Sequence, residues 1–329
     1  MDYKQKEDKL SDKRNYSLDT NAGIFILYMI ILHCYQFAKI PNCNFYNKTY
    51  FLYVCFMAWF FFKSGIFHHK NKTIKENIRY SFLRLWKPYL TFVIIGYIIQ
   101  IILLYIKGDT YWEHYILTPI KECITGGGVP EGALHVWFIV TLFLVKSLSP
   151  LFVDKYRWSW IGCAILGYII SYSSIPIPLY FSNFFPAMFF YGLGYTMKKM
   201  QYENITFFCA IILILLSLTP PSLVDFRRNY ILEGEYLLWL LHASSAIIIY
   251  NYIGNKIPYI LWPLTTIGRD SMYWYLFHWP ILQIIYLLIH NSQENKTLEL
   301  LITFLLLIVS LLILRPLIYK SKIKTIFGI

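Results

Sequence analysis

The sequence predicts an all-α integral membrane protein of about ten transmembrane helices with both termini in the cytoplasm. Three observations predict it. Apolar residues make up 57% of the 329 and charged residues only 15%, with mean hydropathy +0.48, whereas a soluble domain carries about 25% charged residues. The apolar residues run in blocks of membrane-spanning size instead of at one-face helical spacing. Lysine and arginine fill the short tracts between blocks, with a bias to one side.

The order along the chain follows from those blocks. Residues 1–20 form a polar, basic cytoplasmic tail, residues 21–320 the transmembrane domain, and 321–329 a second short cytoplasmic tail. The apolar blocks fall at 21–39, 50–68, 88–106, 135–153, 158–173, 179–197, 205–220, 237–254, 270–290 and 298–319. Residues 257–268 are apolar but interrupted by Pro258 and Pro263, and read as an interfacial or re-entrant lead-in to the ninth span. The side holding Lys4, Lys9, Lys70, Lys72, Arg79, Arg84, Lys87, Lys198 and Lys320 is the cytoplasmic one by the positive-inside rule. Segment 69–87 interleaves cations with apolar residues, as an amphipathic surface helix does. The external loop 107–134 ends in a glycine-rich run.

The net charge of +12 does not point to nucleic acid, because the cations are dispersed between spans. No cleavable signal peptide is expected, since the first residues are too charged. The six cysteines contain no CxxC pair and read as small apolar residues. There is no HExxH, Walker A, GxGxxG or GxSxG motif and no metal-ligand spacing, so no metal is expected.

Polar groups at membrane depth are expensive and need a reason. His33 lies about 18 Å past the cytoplasmic start of the first span. It is either a histidine hydrogen-bonded between helices or a general base or acyl carrier. His278 lies about 12 Å into the ninth span, which enters from the same face, so the two histidines are expected at overlapping depths. Gly268-Arg269-Asp270-Ser271 reads as a helix start with Asp270 or Ser271 as cap. His135 opens the fourth span from outside; Glu131, four residues earlier, either orients its imidazole or is an ordinary polar residue at a helix mouth beside Trp137. Lys146 is a buried charge that either snorkels or pairs with an acid.

Five separated patches together resemble one family, the membrane-bound acyltransferase 3 family of bacterial O-acyltransferases. They are Asp19, Gly23 and His33; Phe61-Phe62-Lys63-Ser64-Gly65-Ile66-Phe67; Arg84, Pro88 and Tyr89; His135-Val136-Trp137-Phe138-Ile139; and Gly268, Ser271, Tyr275, His278 and Pro280. The resemblance implies an acyl-CoA co-substrate, most often acetyl-CoA, arriving from the cytoplasm. It implies a glycan hydroxyl as acceptor, in the cytoplasmic membrane of a bacterium. Carried over by position, it implies His33, Asp19 and His278 as catalytic residues, Lys63, Ser64 and Arg84 on the acyl-donor side, and His135 and Trp137 on the acceptor side. The basic cytoplasmic face adds Arg79 and Lys87 to the donor side, and Glu131 by its spacing to His135 and Lys146 as a buried charge in the same span are placed on the acceptor side. One position departs from the family pattern: Ala22 stands where an arginine or lysine is usual. Lys63, expected at similar depth, is assigned that basic role. The rival class is an exporter or flippase with His33, His278 and Lys146 lining a polar path, against which the sequence shows no inverted repeat.

Overall fold

A computed structural model of the chain describes residues 15–38, 44–70, 72–106, 108, 111–125, 129–156, 158–173, 177–198, 202–256, 262–289 and 295–327. The tail 1–14, Cys43, the glycine run 126–128, His290 and most of the lead-in at 257–261 lie outside the described residues.

The described chain is a helical bundle. Its helices are α1 Tyr16–Phe37, α2 Asn44–Tyr53, α3 Phe56–Ile66, α4 Ile74–Ser81, α5 Lys87–Ile106, α6 Trp112–Thr125, α7 Trp137–Ser149, α8 Ser159–Ser171, α9 Phe184–Met197, α10 Tyr202–Ser217, α11 Tyr236–Lys256, α12 Trp262–Arg269, α13 Ser271–Ile289 and α14 Lys296–Lys320. Every expected apolar block is helical. Seven helical runs have span length: Tyr16–Phe37, Thr49–Ile66, Ile74–Ile106, Gly132–Lys155, Tyr236–Lys256, Ser271–Ile289 and Lys296–Lys320. α8, α9 and α10 are shorter, at 13, 14 and 16 residues, short of the ~20 residues that cross the hydrocarbon core.

Local chemistry sets the helix starts. The Asn15 side chain accepts from Leu18 N at 3.1 Å and opens α1. Thr73 and Glu76 form a reciprocal capping box at α4, and Asn295 caps α14. Two wide π turns, Phe82–Trp86 and Pro150–Lys155, fuse α4 to α5 and extend α7. Such turns re-aim side chains out of the helical register; here the first places Arg84 beside a cavity while Leu85 is buried.

Two differences from the sequence expectation concern the loops. The segment 107–134 is not a plain flexible loop: it contains α6, and residues Glu131–Val136 form a 3-10 turn that carries His135. The connection after α10 holds an antiparallel hairpin, β1 Leu223–Asp225 with β2 Tyr230–Glu233, pairing Val224 with Ile231 and Asp225 with Tyr230. These strands are too short for any alternation to register in the sequence.

The core is aromatic: Phe25, Trp59, Phe61, Trp239 and Trp274 are among its fully buried side chains. The outer faces are also apolar. Ile94, Ile98 and Ile102 on α5, Phe207 and Phe208 on α10, and Leu305, Val309 and Leu312 on α14 are exposed. A soluble monomer rarely shows such faces, and a lipid-embedded one must. Glycine lets the helices touch backbone to backbone at two seams. A Cβ at Gly268 would sit 1.7 Å from the Asp19 carbonyl oxygen, so α1 and α12 are in direct contact. A Cβ at Gly65 would sit 1.9 Å from the Tyr191 oxygen, which sets α3 against α9. Asp270, buried between α12 and α13, receives Arg315 Nε at 2.8 Å and Arg269 Nε at 3.4 Å. That network ties α14 to the start of α13. Cys34, Cys55, Cys163 and Cys209 are buried as free thiols and Cys123 is partly buried.

Candidate active site

Three histidines from distant parts of the chain meet in the bundle. The His33 ring centroid is 5.1 Å from that of His278, and His278 is 5.5 Å from His135. Trp279 closes the group. His33 meets its edge at 5.0 Å, and His135 stacks on it at 5.8 Å and 17°. His278 is fully buried, His135 nearly so, and His33 partly exposed. The expected overlap in depth of His33 and His278 is therefore a contact, because α1 and α13 run side by side.

Backbone carbonyls set two of the rings. A carbonyl can only accept, so His278 donates from Nδ1 to Trp274 O at 3.2 Å and keeps its lone pair on Nε2. His135 donates from Nε2 to Leu276 O at 3.1 Å and keeps its lone pair on Nδ1. The Tyr275 hydroxyl donates to the His135 carbonyl and braces the 3-10 turn. His278 Nε2, His135 Nδ1 and His33 Nδ1 are buried and have no hydrogen-bond partner. Unsatisfied buried polar atoms are rare and costly, and three together, two of them acceptors by tautomer, mark a candidate site. Among the described residues no group of His, Cys, Asp and Glu is disposed to hold a metal ion. The Glu131 side chain, and with it the choice between orienting His135 and standing as an ordinary polar residue, lies outside the described residues.

Two cavities approach this cluster from opposite ends of the bundle. The first, about 470 Å³, is lined by Lys63, Ser64, His69, Tyr80, Arg84, Lys146 and Ser271 among others. It is basic. Lys63 pairs with Asp19 at 3.5 Å and stands 5.5 Å above the Trp59 ring. Arg84 donates to the Tyr80 hydroxyl at 2.6 Å. Ser271 opens α13, so the positive end of that helix dipole faces the same space. The second cavity, about 600 Å³, is lined by His33, His135, Trp137, Trp279, Arg227 and Asp225 among others. Met29, Met57 and Tyr275 line both. The two spaces stand back to back across two thioethers and a phenol.

The sequence-derived residues sort accordingly. Lys63, Ser64 and Arg84 share the basic cavity, whereas Arg79 and Lys87 are exposed and do not line it. Lys146, grouped with His135 on the acceptor side, lines the basic cavity and not the one that His135 lines. The reason is distance along α7, about 16 Å at 1.5 Å per residue. Asp19 sits about 21 Å along α1 from His33 by the same rise and contacts Lys63. Ala22 is fully buried, one turn from Asp19. Arg227, Tyr275, Met29 and Met57 were not singled out by residue chemistry. Tyr275 carried only a family pattern, and nothing in the sequence around Arg227 distinguishes it from other cations between apolar blocks.

No curated protein and no solved structure matches the chain. Over residues 15–316 it matches the model of an acyltransferase domain. That match covers nearly the whole chain and both cavities, and the protein is an acyltransferase, a member of the acyltransferase 3 family.

Proposed function

We propose that the protein transfers an acyl group, acetyl in the first instance, from a cytoplasmic acyl-CoA to a hydroxyl of a glycan on the other side of the membrane. The observation that carries this reading is the pair of cavities meeting at Met29, Met57 and Tyr275, with His33 lining the second of them. The basic cavity suits the phosphates of CoA: Lys63, Arg84 and Lys146 supply charge and the start of α13 supplies oriented N–H groups. The thioester then reaches the seam. The second cavity brings the acceptor hydroxyl to His33.

The chemistry balances with the residues present. His33 takes the hydroxyl proton as the oxygen attacks the thioester carbonyl; the C–O bond forms, the C–S bond breaks, and the proton passes from the imidazolium to the CoA thiolate. His278 and Trp279 hold the His33 ring by contact. A route in which His33 briefly carries the acyl group uses the same residues. Lys63 takes the place of the cation missing at Ala22, since it pairs with Asp19 one turn away. The positive-inside bias supports both termini on the donor side of a bacterial cytoplasmic membrane.

The test is CoA release from acetyl-CoA by the purified full-length protein supplied with acceptor glycan. His33→Ala is expected to lower transfer roughly 10²- to 10⁴-fold while the protein still inserts and melts normally. Wild-type transfer rates in His33→Ala would refute the assignment. Movement of unmodified glycan without acyl-CoA would establish the exporter instead.

A further inference from the structure

The β1–β2 hairpin dips into the bundle and is held there by buried polar groups. Asn183 donates to Arg227 O at 3.0 Å while accepting from Thr141 Oγ1 at 2.8 Å. Ser182 Oγ donates to Arg228 O at 3.1 Å. Asn229 takes the left-handed conformation the turn requires, φ 51°, and donates to Gly167 O at 2.9 Å while accepting from the Tyr236 hydroxyl at 2.9 Å. Thr141, Asn183 and Asn229 are all buried. The Phe226 ring anchors between Phe61, Trp137, Phe190 and Trp239. The buried side chains of Thr141, Ser182, Asn183, Asn229 and Tyr236 and an aromatic anchor thus fix four residues of turn. What the turn delivers is Arg227, whose side chain lines the cavity that holds His33.

The charges do not cancel there. Asp225 also lines the cavity, but its carboxylate takes the Arg228 backbone N–H at 3.3 Å and Arg228 Nε at 3.6 Å. Among the described residues no carboxylate makes an ion pair with Arg227. Leaving a partly buried guanidinium without a partner is costly unless a ligand supplies one. Trp137, Trp239 and Trp279 line the same space and offer flat apolar faces against which the C–H face of a sugar ring rests.

We propose that the acceptor is anionic and that Arg227 binds its acidic oxygens, either a carboxylate on the glycan or a phosphate joining the glycan to its lipid carrier. This rests on the acyltransferase reading above. A guanidinium matches either group two N–H to two O, and Asp225 is already engaged by Arg228. Arg227 fixes which hydroxyl stands at His33, because the anion is the one point of the acceptor that cannot slide along the aromatic wall.

Two matched probe pairs test the proposal on full-length protein in nanodiscs of neutral lipid, by quenching of tryptophan fluorescence. One pair is a hyaluronan tetrasaccharide and its carboxyl-reduced form; the other is a short polyprenyl phosphate and the polyprenol. The anionic member of at least one pair is expected to bind roughly tenfold more tightly than its neutral twin, and which pair responds names the source of the anion. Arg227→Gln erases the preference, and Arg227→Lys, which keeps the charge, retains part of it. Equal affinity within both pairs, binding by neither pair, or a preference that survives Arg227→Gln overturns the proposal. If Arg227→Gln does not fold, the wild-type comparison and its loss in 0.5 M salt, expected from screening on the order of a few ångströms, decide the matter. The acyltransferase reading fails separately, on His33→Ala.

Discussion

Replacing Gly268 by alanine probes the contact that aligns the site. The added Cβ would lie 1.7 Å from the Asp19 carbonyl oxygen and 2.6 Å from Gly23 N, both backbone atoms that cannot swing aside. Real Cβ atoms keep about 3.0 Å from such neighbours, so α1 and α12 must part by about 1.3 Å. Overpacking of that kind costs roughly 1–3 kcal/mol. The larger effect is on alignment. α1 carries Asp19 and His33; α12 leads directly into Ser271 and His278 on α13. The shift therefore lands on both cavities, and a displacement on the order of 1 Å at a reacting centre costs about 10²-fold in rate. Gly162→Ala is the control, because a Cβ there meets nothing within 4 Å and alanine is the better helix former by about 1 kcal/mol. The assay is CoA release together with thermal unfolding in detergent. Gly268→Ala is expected to lose most transfer and a few degrees of stability while Gly162→Ala loses neither. If Gly268→Ala keeps wild-type rate and melting temperature, the α1–α12 seam does not position the site and the reasoning fails.

Two further outcomes follow from the basic end of the molecule. Lys63→Ala should raise the acyl-CoA concentration needed for half-maximal rate roughly ten- to a hundredfold, the worth of a charge-assisted contact, with Lys63→Arg recovering much of it; unchanged donor kinetics would remove Lys63 from the role vacated at Ala22. His68, beyond the end of α3, donates from Nε2 to Asp154 at 3.1 Å and accepts the Tyr191 hydroxyl on Nδ1 at 2.9 Å, so it is satisfied as a neutral ring. Burial pushes its pKa below the usual 6.5, though the Asp154 carboxylate opposes the shift. The folded state then binds fewer protons than the unfolded one, and stability falls as pH drops below about 6.5 toward the folded value. Melting temperatures from pH 8 to pH 5 should show that fall in wild type and a shallower one in His68→Gln; parallel curves would contradict it.

Hydropathy made the helical blocks legible, because lipid contact leaves runs of apolar residues with no competing signal. Composition marks α8, α9 and α10 as apolar blocks like the rest, but it does not report where a helix begins and ends, so their shortness was not legible. His33, His135 and His278 stood out one by one as polar groups in apolar surroundings. Their convergence was not visible, since it depends on how α1, the 3-10 turn and α13 are rotated about their axes. Lys146 and His135 line different cavities for a reason the sequence did contain, the length of helix separating them. Arg227 was hidden more deeply: its turn is held by Thr141 on α7, Asn183 at the start of α9, Tyr236 on α11 and Asn229 in the turn itself, and each alone is an ordinary polar residue.

The seam of Met29, Met57 and Tyr275 has a consequence for the cell. A charge crossing the bilayer moves through about 2.3 kcal/mol per 100 mV, so a water column joining the two cavities would short-circuit the membrane. In the transfer proposed above the seam would serve as insulation as well as a reaction wall, and widening it to admit a bulkier acyl group would also open a path for ions.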